Sequence, residues 1–289
     1  MNHIHQSLTA GLWFVGVPIG TARDITLRAL DVLASADLLV AEDTRSLRKL
    51  LEIHGVPLAG RRIEALHEHT KSSLIDRLIT QAKQGASVAY ASEAGMPLIA
   101  DPGFELVRSA REANVAVTCA PGPSAVLTAL VVGGLPTDAF HFAGFLPAST
   151  GSRKKALTAL MAIPATVVIY ESPKRVGALL QDAAEILGPS RKAVVCRELT
   201  KRFEETQQGS LAELATYYQK GAVKGEIVVL IDRRKEKVIS PKDIDDSLTA
   251  AFKEMSIKDA SAFVSETFDV PRRQIYQRAL TLANKRNSN

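Results

Sequence analysis

The chain has 289 residues, 46% of them hydrophobic and 23% charged, with a formal net charge of +5; this fits a globular protein of about two domains with a sizeable core. No apolar stretch reaches the roughly 18 residues of a transmembrane helix, and residues 1–10, with two His and no Lys or Arg, lack the regions of a signal peptide and read as a short disordered lead. Cys119 and Cys196 lie in apolar runs and are expected to be buried thiols of a reducing cytoplasm, with neither disulfide nor metal.

In chain order, strand-like runs at 12–17, 37–41, 62–65, 86–90 and 115–118 alternate with helical patterns that open near Ile25, Thr44, Ser73, Phe104 and Ser124. Strands alternating with helices of about 10–15 residues predict a mainly parallel sheet. The segment 131–136 interrupts the pattern and is read as a domain junction. A second α/β set follows, with strands at 139–143, 165–170 and 191–196 and helices at 152–161 and 173–187; runs near 203–208 and 225–232 are spaced for antiparallel strands. The expected division is a lead at 1–10, α/β domains at 11–133 and 134–232, a charged linker at 233–240 and a helical domain at 241–289.

The helical tail places Ala260, Phe263, Val264 and Thr267 at i, i+3, i+4 and i+7, then Pro271 at a helix start, then Ile275, Ala279 and Leu282 on one face with Arg272 and Arg273 outward. Two helices, a brief turn and a basic opening to the second predict a helix-turn-helix. From Arg233 onward there are 12 basic and 8 acidic residues, against 24 and 23 in the rest, so most of the excess charge sits where it can meet phosphate.

The most informative loop is 92–103, Ser-Glu-Ala-Gly-Met-Pro-Leu-Ile-Ala-Asp-Pro-Gly, between a strand and a helix. Loops of the same small-residue kind follow other strands, at 17–21, 120–125 and 144–147. Ligands of open α/β sheets lie outside the carboxyl ends of strands, so these loops predict one extended ligand across the junction of two sheets. Neither a GxGxxG nor a GxxxxGK[ST] loop is present, which counts against a dinucleotide dehydrogenase or a P-loop NTPase. Three further strand ends combine carboxylates with basic residues, at 41–45, 171–175 and 197–201; capped helix starts with surface ion pairs are the plainer explanation of each alone. His67, Glu68 and His69 have metal-like spacing without further ligands, and no metal is expected.

Taken together and in order, Val-Pro-Ile-Gly-Thr (17–21), Ala-Glu-Asp-Thr-Arg (41–45), the 92–103 loop, Pro-Gly-Pro-Ser-Ala (121–125), Gly-Phe-Leu-Pro (144–147), Tyr-Glu-Ser-Pro (170–173), Arg-Glu-Leu-Thr-Lys (197–201) and Lys-Gly-Glu (224–226) resemble the small-subunit ribosomal RNA methyltransferases of the tetrapyrrole methylase superfamily. The resemblance implies two α/β domains with S-adenosylmethionine in the cleft between them, a small helical RNA-binding domain and a homodimer in the cytoplasm. It implies 2'-O-methylation of a cytidine ribose in the decoding centre of 16S rRNA; a tetrapyrrole-type small-molecule methyltransferase on the same scaffold is the alternative, and a ligand-sensing DNA-binding regulator is a more distant one. The cofactor loops carry over to Pro18, Ile19 and Gly20, to Ser92, Glu93, Ala94, Gly95, Met96 and Pro97, to Pro121, Gly122, Ser124 and Ala125, and to Tyr170, Glu171, Lys224, Gly225 and Glu226. The chain departs from the family pattern at Thr21 (usually Asn), Glu93 (Asp), Met96 (Thr) and Lys174 (His).

Methyl transfer to a hydroxyl needs in-line alignment and is helped by a base. Glu93, Asp43 and Glu198 are the candidates for that base, unranked, with Arg45 and Arg197 beside them to polarise the hydroxyl or hold phosphate. Arg48, Lys174, Arg175, Lys201, Arg272 and Arg273 are the candidates for RNA contact.

Overall fold

The computed structural model describes residues 3–67, 72–219, 221, 223–234, 240–268 and 270–287. Glu68, His69 and residues 235–239 of the charged linker lie outside the described residues. By its contacts the chain divides into two compact units, Met1–Arg234 and Lys235–Asn289.

The first unit holds two sheets. Strands β1 (Gly11–Val15), β2 (Leu38–Ala41), β3 (Ile63–Ala65), β4 (Ser87–Ala91) and β5 (Val117–Ala120) form an all-parallel sheet in the order β3-β2-β4-β1-β5. Side chains alternate across a strand, so one sheet seeds two cores. Leu12, Phe14, Val88 and Tyr90 pack with α3 (Ser72–Lys83) and α4 (Phe104–Glu112) on one face; Val15, Ala89 and Ala91 pack with α1 (Leu27–Ser35) and α2 (Thr44–His54) on the other. Cys119 does not follow the buried-thiol expectation: it lies on edge strand β5 and is exposed, whereas Cys196, in a central strand, is buried.

The second sheet is mixed. Strands β6 (Phe140–Phe145) and β7 (Thr166–Glu171) run parallel, while β8 (Lys192–Arg197), β9 (Glu205–Ser210) and β10 (Ile227–Ile231) add antiparallel pairs in the order β6-β7-β10-β8-β9. One face carries α6 (Thr150–Leu160), α7 (Val176–Leu187) and α8 (Leu211–Gln219), a helix the periodicity did not reveal. The other face is covered by α5 (Ala125–Gly133), whose Val126, Ala129 and Leu130 meet Val168, Val194, Val228 and Leu230. This helix precedes the junction expected at 131–136, yet by packing it belongs to the second sheet.

The second unit is three helices around their own core: α9 (Pro241–Ala251), α10 (Ile257–Phe268) and α11 (Arg272–Asn287). Ser240 and Asp243 form a capping box, with Pro241 at the first helical position. Ala260, Val264, Ile275 and Ala279 are buried as the spacing predicts. Phe263 and Thr267 instead face solvent, and Ser261 takes the inward place, its hydroxyl donating to the Ile257 carbonyl at 2.6 Å. A helical pattern defines a stripe, and here the buried stripe is turned one residue from the expected one.

A carboxylate-lined cavity beside helix α5

The loops singled out in the sequence close on one another. After β1, the Val17 amide donates to the Gly95 carbonyl at 2.9 Å and the Gly95 amide returns a bond to the Val17 carbonyl at 3.1 Å. Gly16 lies against Gly122: a Cβ on Gly16 would sit 2.6 Å from the Gly122 nitrogen, so only glycine permits that approach. The Gly122 amide points at the Met96 sulfur, 3.2 Å away. On the other side, Gly20 abuts Thr200 and Lys201, and Thr21 is hydrogen-bonded twice to Thr200. Loops from both sheets thus share one floor.

Above that floor is a cavity of about 350 Å³, within the range of small-molecule sites. Ile19, Ala94, Gly95, Met96, Ser124 and Ala125 line it from the first set of loops; Tyr170, Glu171, Leu199, Gly225 and Glu226 line it from the second sheet. It opens where α5 begins, and Tyr170 and Val228 of the sheet lie in its lining. Ser124 stands at the N-cap of α5, but its side chain makes no capping hydrogen bond. The backbone is strained around the cavity: Leu98, Ala100, Glu198 and Thr200 all have positive φ without being glycine. Strain of this kind persists only where surrounding contacts enforce it, and it concentrates at functional sites.

Carboxylates set the electrostatics. Burial, then the nearby Glu42 and Glu93, raise the Asp101 carboxyl to about 7, against a lowering hydrogen bond from Ser92. Asp101 lines the cavity, and no salt bridge to it is found among the described residues. Glu171 is buried; its Oε1 accepts from the Ser172 amide at 2.7 Å and faces Arg175 Nε at 3.1 Å, while its Oε2 takes no hydrogen bond among the described residues. Glu226 shares Lys201 with Glu198, at 2.7 and 2.8 Å. Burial pushes the Tyr170 hydroxyl up to about 12, so it stays a neutral donor.

Other candidates lie outside the lining. Pro18, Gly20, Ser92, Pro97, Pro121 and Gly122 belong to the loops but do not face the cavity, and Lys224 contributes its carbonyl to Arg197 at 3.3 Å. Asp43 caps α2 through the Arg45 and Ser46 amides, and its hydrogen bonds to Arg45 hold its carboxyl low, at about 2. Arg45 itself is almost wholly exposed. Glu198 is held below the usual carboxylate range, chiefly by Lys201, and Arg197 is paired with Glu205 at 2.7 Å. Glu93 is exposed, and its amide donates to Glu42 Oε2 at 3.0 Å. Arg48, Lys174, Arg272 and Arg273 are exposed, whereas Arg175 and Lys201 spend their charge on Glu171, Glu198 and Glu226.

Among the lining residues that sequence reasoning did not single out are Asp101 and Phe145. Both sat inside loops already noted, but an Asp before Pro-Gly and a Phe after Gly carry no signal of their own until the fold places them.

Two α/β sheets joined over a cavity of glycine-rich loops match a known class. Residues 11–215 match the family described as Tetrapyrrole (Corrin/Porphyrin) Methylases, and residues 239–283 match the RsmI C-terminal HTH domain. The fold is also that of solved structures: diphthine synthase (TM-score 0.59, 18% identity, covering 76% of this chain and 89% of that one) and uroporphyrin-III-C-methyltransferase from Thermus thermophilus (TM-score 0.55, 23% identity, 76% and 94%). A further Thermus thermophilus uroporphyrin-III C-methyltransferase structure, complexed with S-adenosyl homocysteine, aligns with TM-score 0.52 at 20% identity over 76% of this chain and 96% of that one.

The chain is a member of the tetrapyrrole methylase family, and within it belongs with the proteins named ribosomal RNA small subunit methyltransferase I. It is 44% identical to that protein of Mesorhizobium japonicum over 96% of this chain and 94% of the relative, and 41% identical to that of Vibrio cholerae over 92% and 93%. The Escherichia coli O157:H7 relative is 39% identical over 93% and 94%.

Proposed function

We propose that this protein uses S-adenosylmethionine to methylate small-subunit ribosomal RNA, the acceptor being the 2'-hydroxyl of a cytidine in the decoding centre of 16S rRNA. The observation that carries the cofactor assignment is the cavity's set of acceptors. Among the described residues, a buried Glu171 oxygen takes no hydrogen bond and Asp101 has no salt bridge. A ligand with cationic and amino groups would satisfy both, because a buried acceptor left unpaired costs about 1–3 kcal/mol. When bound, the cofactor supplies a methyl on a sulfonium, a strong electrophile that needs no metal.

The residues then divide the work. Gly95, Met96 and Ala125 shape one wall and Gly225 the other, holding the ligand by close backbone approach. Asp101 and Glu171 offer negative charge and acceptors. Asp43 and Glu198 are weak bases, since Arg45 and Lys201 already hold their carboxylates charged. Glu93, exposed beside Ala94, is the remaining candidate to take the hydroxyl proton; Glu93→Gln with undiminished turnover would remove it.

The helical unit, with Arg272 and Arg273 exposed at the start of α11, is assigned to RNA phosphates. We assign homodimer contact to the outer side of α5, where Leu127 and Val131 are exposed one turn apart and Val131 is 82% accessible. The deciding experiment incubates the protein with methyl-labelled S-adenosylmethionine and either 30S subunits from a strain lacking its gene or a porphyrinogen. Label in the ribose of a single 16S cytidine supports the proposal; label in the porphyrinogen alone refutes it.

A further inference from the structure

Strand β6 spends six residues, 140–145, on the stretch of β7 that spends five, 166–170. Phe142 stands opposite Val168, Gly144 opposite Ile169 and Phe145 opposite Tyr170, so the register slips between Phe142 and Gly144. Without the slip Gly144 would face Tyr170, and Phe145 would stand opposite Glu171 on the face covered by α6 and α7. The slip, with Gly144 at φ +63°, turns Phe145 to the cavity face instead. Bulges re-aim side chains in this way next to active sites.

The result is an aromatic stair. Phe142 meets Tyr170 edge-to-face at 4.9 Å, and Tyr170 meets Phe145 at 5.6 Å. The first two rings are partly buried, but Phe145 is 58% exposed at the cavity rim. Leaving a phenyl ring in water has no packing return, whereas its supports are fixed by the sheet.

We propose that the exposed Phe145 ring is the platform on which the base of the methylated nucleotide stacks. The proposal rests on an RNA ribose being the acceptor. A 2'-hydroxyl brought to a cavity carries its base within one sugar's width of it, and a nucleobase lifted out of its own stack needs an aromatic face to replace the one it left. Tyr170 fixes the Phe145 ring before the base arrives, so little side-chain entropy remains to be lost.

The test compares wild type, Phe145→Ala and Phe145→Trp as full-length proteins, measuring S-adenosylmethionine affinity by calorimetry and methylation of 30S subunits lacking the modification. Phe145→Ala is expected to lower kcat/KM for the subunit roughly 5- to 150-fold, the range for removal of one base–aromatic stack. Cofactor affinity should stay within about twofold and Phe145→Trp within about threefold of wild type. Unchanged methylation by Phe145→Ala overturns the proposal. So does an equal fall in cofactor affinity, which would give the ring to the cofactor, or a Phe145→Trp as slow as Phe145→Ala. A wild type that methylates no subunit RNA fails the functional assignment itself, before any variant is compared.

Discussion

Thr21 and Thr200, far apart in the chain, bind each other twice: the Thr21 amide donates to the Thr200 hydroxyl at 3.2 Å, and the Thr21 hydroxyl donates to the Thr200 carbonyl. The pair ties the loop after β1 to the loop after β8, and so ties the two walls of the cavity. Thr21→Val keeps the shape and removes the second bond. It should lower unfolding stability by about 0.5–1.5 kcal/mol, read by urea denaturation, and weaken S-adenosylmethionine binding by a few-fold. Unchanged cofactor affinity would show that the tie does not shape the site.

Gly95 has φ +72°, and a Cβ there would lie 3.3 Å from Ile19 Cγ2. Gly95→Val adds a branched side chain in a left-handed conformation beside the cavity, so it should weaken cofactor binding far more than Ser92→Ala. The bonds of the Ser92 hydroxyl to the Ala94 and Gly95 carbonyls are long, at 3.3 and 3.4 Å. Calorimetry giving the reverse order would place the ligand elsewhere.

With S-adenosylmethionine in the cavity as proposed, Asp101 should make its binding pH-dependent. Its carboxyl, raised to about 7 by burial and by Glu42 and Glu93, is protonated at pH 6 and ionised at pH 8. A cationic ligand prefers the ionised form, so affinity should rise across that window by about tenfold, and Asp101→Asn should bind more weakly and lack the rise. The sign for folding is opposite. The unfolded chain releases this proton near pH 4 while the folded one retains it to about 7, so the ligand-free protein loses stability as pH rises between the two. Affinity independent of pH from 6 to 8 would separate Asp101 from the ligand.

Arg272→Ala and Arg273→Ala should weaken 30S binding and reduce the slope of log affinity against log salt by about one for each phosphate that the variant no longer neutralises. Cofactor affinity should be untouched. An unchanged slope would remove these two arginines from the RNA surface.

Val131→Asp puts a charge on the exposed apolar side of α5. Sedimentation should show the parent as a dimer, as proposed, and the variant as a monomer at the same concentration. Two indistinguishable profiles would move the interface away from α5.

Much of this protein was legible before folding because its signals are local. The parallel sheet is written in predominantly apolar strands, because its central strands are covered on both faces; β4 is buried throughout. The cavity loops announced themselves through glycine and proline, because close backbone approach excludes side chains at Gly16 and Gly122 whatever the rest of the chain does. The Asp43–Arg45 pair was equally legible as a helix cap, and it remains one.

Other features depend on partners distant in sequence. That α5 serves the second sheet follows from which face lacked a cover, and that Cys119 is exposed follows from β5 being an edge. Asp101 gains its high proton affinity first from burial in the folded loop and then from Glu42, which another loop brings near it, and Glu93 of its own loop. Phe145 faces the cavity only because β6 slips by one residue against β7. Local chemistry determined the elements, the loops and the family; tertiary structure decided charge, burial and aim, because those depend on fields and contacts between groups that the chain itself holds far apart.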